Sequence, residues 1–332
     1  MLYTDCSVSL AVAKVSVIAY SPTELVEDED ATPGHCRELV EKFPVTWIDI
    51  SGLDDKLALE FETLFGFHHL ALEDAMHTVQ EAKVEPYDNF AYIVTKLINW
   101  AEEIRTAQLS IFIAKNFVMT VHDGPITEIE NLKVRLRKKS PRLVKGGADY
   151  LCYSILDSIV DSYLPHLDHF SDVLDELEDQ IVEKPDRTTI RRSHDVKRDL
   201  LLIRNQLRPQ RDAFAVLARG ELPYFRKEVR NYLRDVYDHM IRTLDALDTY
   251  RDIAVNLLEV HAQLIANQLN EVIKVLTILF TLTIPMTVIA GFYGMNVGFP
   301  GRDSEIGFLS SLVLAFGLTG AVIVYMRMKK LF

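Results

Sequence analysis

VLTILFTLTIPMTVIAGFYGMNVGFPG, residues 275–301, decides how this chain is read, because it contains no charged residue. A second uncharged run, Ile306 to Met326, follows after Arg302, Asp303 and Glu305. A bilayer core of roughly 30 Å needs about 20 apolar helical residues to cross it. Both runs reach that length, so the pair predicts a hairpin of two transmembrane helices. The first run closes on Tyr293-Gly294-Met295-Asn296, with Gly291 one turn earlier. A polar amide among glycines at the point where a span meets water is where a pore would select what enters.

Working outward, about 270 residues precede the first span. Charged residues make up 25% of the chain and hydrophobic ones 48%, which fits a large solvated domain joined to a small membrane part. The net charge of −12 argues against nucleic acid as a partner and suits cations, although acidity also simply aids solubility. The first ten residues lack the basic region and apolar core of a secretory signal. Cys6, Cys36 and Cys152 are too few and too scattered for a disulfide framework or a zinc site, and read as ordinary thiols of a reducing compartment. Lys274 precedes the first span and Arg327, Lys329 and Lys330 follow the second, whereas Arg302 in the connection is offset by two acids. Basic residues favour the cytoplasmic side, so both termini and the large domain are placed there, in a multi-pass inner-membrane protein.

The first third alternates between strand and helix. Ala11 to Tyr20, Val45 to Ile50, Phe90 to Ile98, Gln108 to Ile113 and Phe117 to Val121 read as strands, the last two joined at Lys115-Asn116. Asp54 to Phe65 reads as a helix from the spacing of Leu57, Phe61, Leu64 and Phe65. The fold class expected is therefore an α+β cytoplasmic domain with a long stalk helix and two C-terminal transmembrane helices. Tyr150 to Glu183 and Thr188 to Gln206 read as helices, with a kink at Pro165 and a break at Pro185. From Tyr224 to Ile284 there is neither Gly nor Pro, which predicts one helix entering the membrane as the first span. The expected division is 1–150 cytoplasmic α/β domain, 151–270 helical part and stalk, 271–296 first span, 297–305 external loop, 306–326 second span and 327–332 basic tail.

Along the first span, Asn270, Ile273, Thr277, Phe280, Ile284, Thr287, Gly291 and Gly294 recur at alternating three- and four-residue steps. That is the seam of parallel helices packed side by side. Small and hydroxyl residues on such a seam let several copies approach around an axis. The same seam also serves a closed helix contact without a hole, and the pattern alone leaves both open. The span carries no carboxylate, so a bare divalent ion has nothing charged there to replace its water. Magnesium holds its waters tightly, and a ring of Asn296 amides with backbone carbonyls could hydrogen-bond those waters without stripping them.

These residues resemble the CorA family of magnesium transporters, whose hallmark is Gly-Met-Asn closing the first of two C-terminal spans. The likeness extends upstream through Trp47-Ile48-Asp49-Ile50 with Gly52-Leu53, His69-Leu70-Ala71-Leu72-Glu73-Asp74, Lys83-Val84-Glu85 with Tyr87, and Arg234-Asp235-Val236-Tyr237-Asp238-His239. The resemblance implies a homopentamer and a funnel of α/β/α layers feeding the stalks. It implies a passive pore for Mg2+, which is both substrate and regulator, with no covalently bound cofactor. It makes Gly294, Met295 and Asn296 the entrance, and Asn270, Ile273, Leu276, Thr277, Ile284, Thr287 and Gly291 the pore lining, with Ile273, Leu276 and Ile284 as an apolar constriction. It places regulatory magnesium at subunit interfaces on Asp74 with Glu73, and on Asp235, with Asp157 and Asp161 as weaker candidates. Two departures stand out. The loop Val297 to Glu305 does not begin with the family's acidic segment, and the basic tail is short. Mg2+, Co2+, Ni2+ and Zn2+ all remain possible cargo, although the zinc branch usually alters the methionine that this chain keeps at Met295. No P-loop, Gly-x-Gly-x-x-Gly or His-Glu-x-x-His occurs, which argues against an enzyme and against pumping by ATP hydrolysis. A membrane-tethered sensor without flux is the alternative of a different class.

Overall fold

The computed structural model describes residues 13–77, 80–100, 104–183, 186–295, 298 and 304–328. In chain order the elements are β1 (Lys14–Tyr20), β2 (Leu25–Asp28), α1 (Pro33–Lys42), β3 (Val45–Ser51), α2 (Asp55–Phe65), α3 (His69–Met76), β4 (Lys83–Pro86), β5 (Ala91–Trp100), β6 (Ile104–Ile113), β7 (Phe117–His122), α4 (Thr127–Arg137), α5 (Pro141–Lys145), α6 (Ala148–Asp161), α7 (Leu164–Glu183), α8 (Arg187–Arg219), α9 (Lys227–Gly294) and α10 (Glu305–Met328). They form two compact units, one of Met1–Asp179 with Arg191–Val255, the other of Gln180–Ile190 with Asn256–Phe332.

In the first unit a seven-stranded sheet runs in the order β2-β1-β3-β7-β6-β5-β4. Every neighbouring pair is antiparallel except β3 and β7, which are parallel. Alternation sorts the two faces. Val15, Val17, Ile48, Ile50, Met119, Val121, Phe112 and Tyr92 share one core with Cys36 and Leu39 of α1, Phe61 of α2 and Leu72 of α3. Residues one step along point the other way, where α6 packs on β3, β6 and β7 and α4 packs on α6. The result is the expected α/β/α layering. Local chemistry sets the helix ends. Thr32 and Asp54 cap α1 and α2 by accepting from the backbone N–H groups of His35 and Leu57. Gly66 ends α2 at φ +69°, where a side chain would be strained.

Three details differ from the sequence expectation. The break in the first long helix comes at Ser162 and Tyr163, and Pro165 then lies in the first turn of α7, where its missing N–H costs nothing. The α8 helix continues through Pro209 to Arg219. Just beyond Pro209, the Gln210 side chain accepts from Lys96 N–H at 2.8 Å and donates to the Tyr163 hydroxyl at 2.8 Å, which fixes this turn against β5. The long helix begins at Lys227, after buried Asp149 has taken three hydrogen bonds from Arg226 at 2.7–3.0 Å. It runs to Gly294 with Pro285 inside it.

The second unit holds the membrane-spanning helices. The C-terminal part of α9 and the whole of α10 each contain a window of mean hydropathy 2.1, and those windows are 0% and 11% buried within the chain. An apolar helix of a soluble core would be buried. These helices are instead exposed in the single chain, and they are long and apolar enough to cross a membrane.

Candidate functional site

The seam residues Asn270, Ile273, Thr277, Phe280, Ile284, Thr287, Gly291 and Gly294, and Leu276 beside them, are all exposed along α9. The second span contacts a different stripe. Thr281 Oγ1, whose proton goes to Thr277 O at 2.7 Å, lies 3.8 Å from Met326 Sδ, the Tyr293 hydroxyl donates to Gly307 O at 2.7 Å, and the Tyr293 ring meets Phe308 edge-on at 6.0 Å. Ile289 and Tyr293 line a cavity of about 210 Å³ with Phe308, Leu312 and Ala315. Ile278, Thr281, Pro285, Ile289 and Tyr293 are correspondingly less exposed than their neighbours. At about 100° per residue, the centre of this stripe lies about 140° around the helix from the centre of the seam. The second span thus covers one side of α9 and leaves the polar, small-residue side open.

The hydroxyls on the open side are oriented by the helix itself. Thr277 donates to Ile273 O at 2.7 Å and Thr287 donates to Ile284 O at 2.9 Å. With the proton directed at the backbone, the oxygen lone pairs are left to face the seam, where they can accept from water. The helix closes at the motif, where Met295 N–H bonds to Phe292 O at 3.3 Å. Asn296 lies outside the described residues, as do Arg302, Lys329 and Lys330.

In the first unit the acids fall into distinct groups. Asp74, at the end of α3, accepts from Lys83 Nζ at 2.6 Å and from Gln80 Nε2 at 2.9 Å. Glu73 is its chain neighbour and its carbonyl accepts the N–H that caps α3. On α6 and α9, His239 sits 3.8 Å from Asp161 and 3.7 Å from Asp235. Asp157 is raised above the ordinary carboxylate value, first by burial and next by the charge of Asp161. Among the described residues, no three His, Cys, Asp or Glu side chains converge as a metal-binding group. One chain therefore presents these acids singly or in pairs.

Two features escaped the sequence reading. The first is the Lys83 contact with Asp74, made by residues nine apart on different elements. The second is a buried network around Asp49. Asp49 and Thr120 are register partners on the parallel strands β3 and β7. Asp49 Oδ1 accepts from Thr120 at 2.5 Å and lies 3.1 Å from His122 Nε2, and its Oδ2 lies 2.7 Å from Lys133 Nζ. An acid in the middle of the Trp47-Ile48-Asp49-Ile50 strand was the available signal, because a buried strand tolerates a carboxylate only when it is paired.

Comparison with known proteins places this arrangement. Residues 44–330 match the family model described as CorA-like Mg2+ transporter protein. The cobalt/magnesium transport protein CorA of Thermotoga maritima is 33% identical over 322 residues, covering 96% of this chain and 92% of that protein. The cobalt/magnesium transport protein CorA of Methanocaldococcus jannaschii is 29% identical over 271 residues, covering 81% and 85%. The complete structure of the CorA magnesium transporter from Methanocaldococcus jannaschii superposes with a TM-score of 0.78 at 26% identity, covering 96% of this chain and 98% of that one. On fold, hairpin and sequence together, the chain belongs to the CorA-like Mg2+ transporter family.

Proposed function

We propose that the chain forms a homopentameric channel through which hydrated Mg2+ enters passively, down its electrochemical gradient. The observation that carries this reading is the uncovered seam of α9, which lies about 140° from the stripe that the second span occupies. Five such seams around an axis would put Asn270, Thr277, Thr287 and Gly291 toward the ion. Their oxygens accept from its waters, while Ile273, Leu276 and Ile284 form a constriction that dewets to close. At the mouth, Gly294, Met295 and Asn296 would select the ion through its hydration shell. The hairpin lies in the inner membrane with both termini cytoplasmic. The soluble domain spans about 1–150, the helical part and stalk 151–270, and the two spans 271–296 and 306–326.

We further read Glu73, Asp74, Asp157 and Asp235 as regulatory acids that face a neighbouring subunit. Carboxylates from two subunits repel unless a hard cation lies between them, so loss of internal Mg2+ would free the subunits to move. Asp235 and the seam belong to one unbroken helix, which gives such a movement a route to the pore.

Single cysteines introduced in the full-length protein test the pore. Cysteine at Thr287 or Thr277 is expected to react with a water-soluble thiol reagent and to block flux, while cysteine at Ile278 or Ile289 stays protected by lipid and α10. The reverse pattern would turn the seam into a dry contact, and absence of flux in the parent protein would leave a tethered sensor. Competitive uptake of Mg2+, Co2+, Ni2+ and Zn2+ in the same vesicles ranks the cargo. For regulation, Asp74→Ala combined with Asp235→Ala is expected to raise the internal Mg2+ needed for half-closure about fivefold or more. Unaltered closure in that double variant would remove both acids from the sensing role.

A further inference from the structure

Asp74 is not a vacant ligand in this chain. Its Oδ2 accepts from Lys83 Nζ at 2.6 Å and its Oδ1 accepts from Gln80 Nε2 at 2.9 Å. The same ammonium donates to Glu85 Oε1 at 2.7 Å. The second oxygen of Glu85 accepts from the Tyr87 hydroxyl at 3.1 Å, and the Tyr87 ring stacks on Phe90 at 4.6 Å. The Tyr224 hydroxyl in turn donates to the Tyr87 carbonyl at 2.8 Å. Glu85 is therefore held in place, and one lysine is shared between a fixed carboxylate and the acid read above as a sensor. The side chains of Lys83, Asp74 and Glu85 are 30%, 24% and 38% exposed, so ions in solution can reach them.

We propose that Lys83 is a tethered competitor for the divalent cation at Asp74, occupying the carboxylate until the ion displaces it and then withdrawing to Glu85. This rests on the sensing reading of Asp74 given above. A dication on Asp74 and an ammonium 2.6 Å from its Oδ2 repel each other across one carboxylate, so each weakens the other's hold on it. Displacement is tolerable because Glu85 keeps the lysine paired, and an uncompensated half-buried charge is avoided. A cation attached to the chain has a fixed local concentration, and so sets the threshold that free Mg2+ must exceed.

Opposite shifts follow from the two neighbours of Asp74. Lys83→Met removes the competitor, keeps the apolar stem and lowers the internal Mg2+ needed for half-closure, by roughly three- to tenfold. Glu85→Gln removes the resting place, commits Lys83 to Asp74 and raises that concentration by a similar factor. The measurement is Mg2+ flux through full-length protein in proteoliposomes loaded with graded internal Mg2+, with Asp74→Asn as reference and thermal stability recorded for each variant. Lys83→Gln repeats the first arm if the methionine variant is unstable. A fall with Lys83→Met and a rise with Glu85→Gln supports the competitor. If both variants move the same way, or neither moves while Asp74→Asn does, Lys83 is only structural and the sensing reading survives. If Asp74→Asn leaves closure unchanged, the sensing reading fails and the competitor fails with it.

Discussion

Asn296→Ala is expected to reduce Mg2+ uptake into proteoliposomes by about two orders of magnitude while leaving the thermal stability of the α/β domain unaltered. Residues 275–301 contain no carboxylate, so nothing charged in the first span can replace the shell of a dehydrated dication. An ion that keeps its waters must be recognised through them, by oxygens that accept hydrogen bonds. In the proposed pentamer one substitution removes five amide acceptors from a single ring. Each such bond contributes on the order of 1 kcal/mol. Even half of that total, lost at the step that admits the ion, gives about a hundredfold, since about 1.4 kcal/mol is a factor of ten. Asn296→Asp keeps an acceptor and adds charge, so it should retain uptake and change the ranking of Mg2+ against Co2+ and Ni2+. Equal uptake by the parent and the alanine variant would mean that selection happens elsewhere in the pore.

The spans and the central strands were legible because each is governed by a short-range rule. Twenty uncharged residues long enough to span a bilayer specify a membrane helix by length alone, and 45–50 and 117–121 are short, mostly apolar runs of the kind that fill a strand buried on both faces. The four-residue edge strands β2 and β4 were not legible. Leu25–Asp28 and Lys83–Pro86 carry acids or lysine and are strands only because β1 and β5 pair with them. The apolar pattern was read as a helix only as far as Gln206, yet α8 continues through Pro209 to Arg219, where Gln210 is held from both β5 and Tyr163 and tertiary contacts outweigh the local penalty of the proline.

The site divides in the same way. The polar seam of the first span was visible as a heptad pattern, since one helix carries all of it. Which face the second span would cover was not visible, because α10 is apolar all round and its sequence favours no side. The acids proposed as regulatory came from resemblance and not from spacing. No short-range rule connects Asp74 to Lys83, and an acid on a helix reads as solvated surface until its partner is seen.

Asp49→Asn should be a severely damaging change in the α/β domain, lowering stability by about 3–5 kcal/mol. The Asp49 side chain is 7% exposed, and it answers two buried cations, His122 at 3.1 Å and Lys133 at 2.7 Å. An amide of the same shape removes the charge and turns an N–H₂ toward one of those donors, so at least one buried cation loses its partner. Glu130, the other acid on Lys133, is more than half exposed, and Glu130→Gln should cost less than about 1 kcal/mol. The pH dependence distinguishes this network from simple packing. Burial alone would push the Asp49 carboxyl up, but hydrogen bonding and charge from His122, then the charge of Lys133, hold it at about 2. Its contribution is therefore complete above about 4, the ordinary aspartate range, and is lost as pH falls through about 2. For His122 burial acts downward and Asp49 acts upward, with a net rise above 6.5, so its contribution is complete below 6.5 and fades as pH climbs past the folded value. The stability gap between the parent protein and Asp49→Asn should be widest between about pH 4 and 6.5 and should narrow on both sides. Thermal denaturation in detergent across pH 4–9 measures it, with a shift of about 10 °C expected at pH 6. A gap that stays constant from pH 5 to 9 would mean that His122 is neutral in the folded chain and that Lys133 alone balances Asp49.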